Sequence, residues 1–112
     1  MIYSLDKINE LADGDEDFIQ SVVSAFLDEV PEDLEQLEVA IGQKNYSNIY
    51  QLAHKIKPNV DLLGMEQTRA AALDIENIGK VGDENPSLDQ IFPILKKDIH
   101  QVISELKKDF GL

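Results

Sequence analysis

The sequence predicts an all-α fold, an antiparallel four-helix bundle with one or two additional short helices. Apolar residues recur at the 3.6-residue period in segment after segment. Strand signals are nearly absent, with no hairpin dipeptide between two alternating runs. The breaks between periodic segments are short, which makes successive helices antiparallel neighbours. At 112 residues, with no internal repeat and no linker long enough to divide it, the chain is expected to form one domain over 1–112.

In chain order, "SLDKINELADG" starts with Ser4 as a candidate N-cap and stops near Gly14. "DEDFIQSVVSAFLDEV" puts Phe18, Val22, Ala25, Phe26 and Val30 on one face. Pro31 suits the first turn of a new helix, which carries Leu34, Leu37, Ala40 and Ile41 and loosens at "GQKN". Asn45 or Ser47 begins the next helix, which runs to about Leu63 and stops at Gly64. "MEQTRAAALDIENIGKVG" turns Ala71, Ile75 and Ile78 inward, and "GDENP" is a loop. Ser87 or Pro86 opens a last helix bearing Ile91, Leu95, Ile99, Val102, Ile103, Leu106 and Phe110. Pro93 either marks its true start or kinks it.

Charge narrows the function classes. The formal net charge is −12, so phosphate backbones and anionic lipid repel the chain, and neither nucleic acid nor a membrane surface is an expected partner. A protein with a basic or apolar docking face fits better. Without cysteine there is no disulfide, thiolate nucleophile or cysteine metal site, which agrees with a reducing cytosol. No apolar run approaches the roughly 20 residues that span a bilayer, and "MIYSLDKINE" lacks the basic and apolar regions of a signal peptide. A cytoplasmic monomer is expected.

The most informative stretch is "LAHKIKPNVDLLG", Leu52 to Gly64. Ile49, Leu52, Ala53, Ile56, Val60 and Leu63 form its buried stripe. At about 100° per residue, His54 falls roughly 140° from the centre of that stripe, with Lys57 at about 80° and Asp61 at about 120°. Tyr50 shares that side. His54 therefore projects outward and is not a core histidine. It is either an idle surface residue or an imidazole offered to a partner. Imidazole is a competent nucleophile near neutrality because its unperturbed pKa is about 6.5. A lysine one turn on stabilises anionic oxygens, so the pair suits receipt of a phosphoryl group. Other chemistries lack their parts. Zinc needs three or four ligands, and the second histidine, His100, stands on another helix without ligand spacing. There is no G-x-S-x-G elbow and no phosphate-binding G-x-x-x-x-G-K-[ST] loop. No metal and no cofactor is expected.

"AHKIKPNVDLLG" resembles the signature of histidine phosphotransfer (HPt) domains, in which a phosphorylated histidine precedes a lysine by three residues and an apolar residue and glycine follow. His54, Lys57, Leu63 and Gly64 match. "LADGDEDFIQSVVSAFLDEVPEDLEQLEVAI" and "AALDIENIGKVGD" extend the resemblance over nearly the whole chain. It implies a four-helix bundle acting as a phosphocarrier, not a kinase, in multistep two-component signalling. His54 would take the phosphoryl group from a receiver-domain phospho-aspartate and pass it to another receiver. The implied partners are response-regulator receiver domains, which carry their own Mg²⁺, and a hybrid sensor histidine kinase. Lys57 would lie beside the phosphoryl group, and Glu76 would orient the imidazole or the lysine. Lys55 and Tyr50 are secondary. Two positions depart from the family pattern: Pro58 replaces a usual glycine, and Asp61 a usual small residue. Both bear on which receivers dock, and a local Lys57–Asp61 pair would offset the added charge by a few tenths of a kcal/mol. The alternative from another class is an acidic helical interaction module that never carries phosphate, although degenerate HPt-like domains of that kind usually lack the histidine.

Overall fold

A computed structural model describes residues 2–112 and contains five helices. They are α1 (Asp6–Ala12), α2 (Glu16–Gly42), α3 (Tyr46–Leu62), α4 (Glu66–Val81) and α5 (Leu88–Phe110). The long helices α2 to α5 make the bundle, and α1 is the short extra. One apolar cluster draws on every helix and on Tyr3 of the N-terminal segment.

Each long helix buries a stripe spaced alternately three and four residues, the pattern of side chains that interdigitate between nearly antiparallel helices. In α3 it is Ile49, Ala53, Ile56, Val60 and then Leu63; in α5 it is Leu88, Phe92, Leu95, Ile99, Val102 and Leu106. Phe92 was not among the expected inward residues of α5, and Ile91 is only partly buried. Pro93 neither starts nor ends this helix but lies inside it.

α2 differs most from expectation. It runs unbroken for 27 residues with Pro31 inside it. Its buried stripe, Val23, Phe26, Val30, Asp33, Leu37 and Ala40, keeps one phase across the proline. Continuous burial on both sides offsets the one backbone hydrogen bond that proline removes, so a residue that reads as a start signal becomes an interior one. The face is also rotated: Phe18 and Ala25 are exposed, and Val23 is the buried residue. The N-cap of α2 is Asp15, whose carboxylate accepts from the Asp17 and Phe18 amides. Asn45 caps α3 by accepting from the Asn48 amide. Ser4 accepts from the Asp6 amide, but Leu5 occupies the cap position of α1.

The N-terminal segment straps the bundle end that holds the α3–α4 turn. The Ser4 amide donates to the Leu63 carbonyl at 2.7 Å, the Ile2 amide donates to Glu105 and the Tyr3 hydroxyl donates to Asp109. Burial first, and then the Asp109 and Glu105 carboxylates, push the Tyr3 phenol up to about 12. Gly64 makes this docking possible. Its φ of +68° is left-handed, and a Cβ there would stand 3.0 Å from the Ser4 Cβ. No described helix is long and apolar enough to cross a membrane.

Candidate functional site

α3 and α4 share the most extensive packing of any helix pair in the molecule. They approach closely at Gly79, where a Cβ would fall 2.5 Å from the Tyr50 backbone nitrogen and 3.0 Å from the Tyr46 carbonyl oxygen. No larger residue fits, so glycine sets the interaxial distance. One turn before Gly79 on α4 stands Glu76; one turn after Tyr50 on α3 stands His54. The antiparallel arrangement brings these two side by side.

Glu76 is buried, whereas the His54 side chain is 61% exposed. His54 Nδ1 lies 3.0 Å from Glu76 Oε1. An ionised carboxylate only accepts, so Nδ1 carries the proton and Nε2 keeps its lone pair. Lys57 Nζ is 2.7 Å from Glu76 Oε2. That contact is a close ion pair whose line of approach falls outside hydrogen-bond geometry, since Oε2 is otherwise without a hydrogen-bond partner. Burial opposes charge on Glu76, but contacts with Lys57 and His54 outweigh it and hold the carboxyl below its usual range. Tyr50, one turn earlier on α3, stacks on the imidazole with ring centroids 5.8 Å apart and planes 15° apart.

His54, Lys57, Glu76 and Tyr50 thus form one constellation, and the other expected residues surround it. Lys55 points the other way, to α2, where Nζ donates to Asp33 Oδ1 at 3.1 Å; this carboxylate raises the lysine's pKa. Asp33 occupies a core position of α2, and its Oδ2 is buried without a partner. The Lys57–Asp61 pair does not form. Asp61 instead takes Lys7 of α1 at 2.8 Å, with Arg69 of α4 at 3.8 Å, because the buried carboxylate of Glu76 lies closer to Lys57. Pro58 is exposed inside α3, which stays helical to Leu62. Its ring cannot donate to the carbonyl four residues back, that of His54. Next to it, the Asn59 side chain donates to the Lys55 carbonyl.

Two contributors escaped the sequence reading. Asp33 was one acid among 22 acidic residues, and only its place in the buried stripe distinguishes it. Gly79 stands inside "ENIGKVG", where a glycine in a helical pattern costs about 1 kcal/mol against alanine, and only the packing of α4 on α3 shows what it is for.

His54 stands on open surface. A groove of about 610 Å³ lies between α2 and α3 and reaches Lys55 but not the imidazole. Among the described residues no cluster of three or more His, Asp or Glu could hold a metal ion. An exposed nucleophilic nitrogen without an enclosing pocket suits chemistry with a group presented by another macromolecule.

Comparison with known proteins gives matching results. A family model described as "Hpt domain" matches residues 21–108. Among solved structures, the HPT domain from the Hpt sensor hybrid histidine kinase from Shewanella superposes with a TM-score of 0.84 at 20% sequence identity. That match covers 98% of this chain and 94% of the Shewanella chain. No curated protein sequence matches.

Proposed function

The chain belongs to the Hpt domain family, phosphotransfer modules of two-component systems, and we propose that His54 is its phosphoacceptor. On this reading His54 takes a phosphoryl group from the phospho-aspartate of one receiver domain and yields it to the aspartate of another. The observation that carries this is the pairing of Nδ1 with Glu76, which leaves Nε2 exposed and nucleophilic.

The chemistry follows from these contacts. The Nε2 lone pair attacks phosphorus in line, the acyl O–P bond breaks, and the receiver's aspartate departs as carboxylate. Nδ1 keeps its proton, so the ring becomes cationic opposite the Glu76 carboxylate, which stabilises that charge. Lys57, which shares the Glu76 carboxylate with His54, exchanges it for a phosphoryl oxygen. Return transfer reverses each step. The protein supplies no metal and acts as a carrier, a cytoplasmic monomer formed by residues 1–112 as one domain, with receiver domains and a hybrid sensor histidine kinase as partners. Pro58 and Asp61 shape the docking face and bias which receivers engage.

The test is incubation with a phosphorylated receiver. Acid-labile, base-stable label is expected on His54, and the folded His54→Gln variant should accept none. Label persisting on that variant would move the site to His100 or elsewhere and sink the proposal. Pro58→Gly is expected to alter relative rates across a panel of receivers; identical rates for all of them would remove Pro58 from docking.

A further inference from the structure

We infer that Tyr50 is a positioning residue that sets the plane of the His54 ring and so keeps Nδ1 on Glu76 and Nε2 facing outward. The hydrogen bond to Glu76 fixes one edge of the imidazole but leaves the ring free to tilt about that contact. The phenol ring removes this freedom by lying nearly parallel to the imidazole, 15° between planes, at a centroid distance of 5.8 Å. Offset aromatic pairs are favourable at that separation.

Residues four apart on a helix are always neighbours, so the stack alone would be unremarkable. What distinguishes Tyr50 is that its own backbone cannot shift, because Gly79 of α4 abuts its nitrogen and Cα. The helix pair thus anchors both supports of the imidazole: Glu76 one turn from Gly79, and Tyr50 against Gly79 itself. The ring face serves a second purpose during transfer. Attack by Nε2 makes the imidazole cationic, and a cation within about 6 Å of an aromatic centroid is attracted to its face. Both effects belong to the ring face, so phenylalanine should preserve them and an aliphatic side chain should not.

The transfer part rests on His54 being the phosphoacceptor; the ring-plane part does not. The experiment uses the full chain with ¹⁵N-labelled histidine, comparing wild type with Tyr50→Phe, Tyr50→Leu and Tyr50→Met. Circular dichroism confirms folding. Imidazole ¹⁵N shifts report the ratio of Nδ1–H to Nε2–H tautomers, and label uptake from a phosphorylated receiver reports rate. Tyr50→Phe should match wild type in both. The Leu and Met variants should lose about three- to tenfold in tautomer ratio and in rate at saturating receiver, the equivalent of one aromatic pair. Unchanged ratios in both aliphatic variants would overturn the inference, as would a Phe variant behaving like the aliphatic ones. A changed ratio with an unchanged rate would overturn the role in transfer. If wild-type protein takes up no phosphate at all, the phosphoacceptor reading fails, and the tautomer ratios still decide Tyr50.

Discussion

The seam between α3 and α4 and the seam between α2 and α5 are built by opposite means. At α3–α4, small residues such as Ala53, Ala72 and Gly79 let the backbones approach closely. At α2–α5 the contact is slighter. It rests on large side chains such as Leu34 and Phe92, with an exposed Lys96–Glu38 pair at 2.8 Å across its rim. Only the first seam holds an imidazole and an ammonium each within about 3 Å of one buried carboxylate. A close, glycine-set backbone distance fixes polar groups more tightly than long side chains can, so chemistry belongs on the tight seam and bulk stability can rest on the looser one.

The sharpest way to break this contrast is Gly79→Ala. Its Cβ would meet immovable backbone at 2.5 Å, and a loss of about 3 kcal/mol is expected, the upper end of overpacking costs. Urea denaturation measures it, and a loss below about 0.5 kcal/mol, the usual level for a surface substitution, would show that the seam is not tight. Glu76→Ala comes next. It strands Nδ1 and Lys57, and losing a hydrogen bond to a charged group should lower the transfer rate roughly tenfold or more, while Glu76→Gln keeps an acceptor for Nδ1 and should lose less. The same carboxyl has a pH signature. Its folded pKa is depressed, so its contribution is present above the ordinary carboxylate range and is lost as pH falls through the folded value. Wild-type stability should therefore fall more steeply with acidification than that of Glu76→Gln, as followed by thermal melts.

Pro58→Ala should act in the other direction. Restoring an N–H opposite the His54 carbonyl is expected to add about 1 kcal/mol, one backbone hydrogen bond, visible as a higher denaturation midpoint. The smallest effect belongs to the loose seam. Lys96→Ala removes an exposed ion pair and should change stability by no more than about 0.5 kcal/mol. A larger change would mean that the α2–α5 rim is not the weak contact it resembles.

The stripes and the outward aspect of His54 were legible because each depends on one helix and its period. The partners of Lys55, Lys57 and Asp61 were not, because they depend on which helix lies alongside. A wheel drawn for α3 pairs Lys57 with Asp61, whereas burial of Glu76 on α4 draws Lys57 away and leaves Asp61 to Lys7. Glu76 itself was reached through family resemblance and not through spacing. Pro31 misled because local chemistry marks it as a beginning, and only the unbroken phase from Val23 to Ala40 shows that the helix passes through it.

Gly79 against Tyr50 also bears on the order in which the molecule comes apart. Amide exchange proceeds through openings of unequal free energy, lowest at frayed ends and highest where packing is densest. The Tyr50 amide, in the second turn of α3, lies against the α4 backbone at Gly79, so it is released when α3 and α4 separate there, and that seam is the most extensive in the molecule. Fraying of α1 or of the last turn of α5 leaves it untouched. The imidazole, one turn further into α3, accordingly keeps its alignment until the α3–α4 seam itself opens, whatever the ends of the chain do.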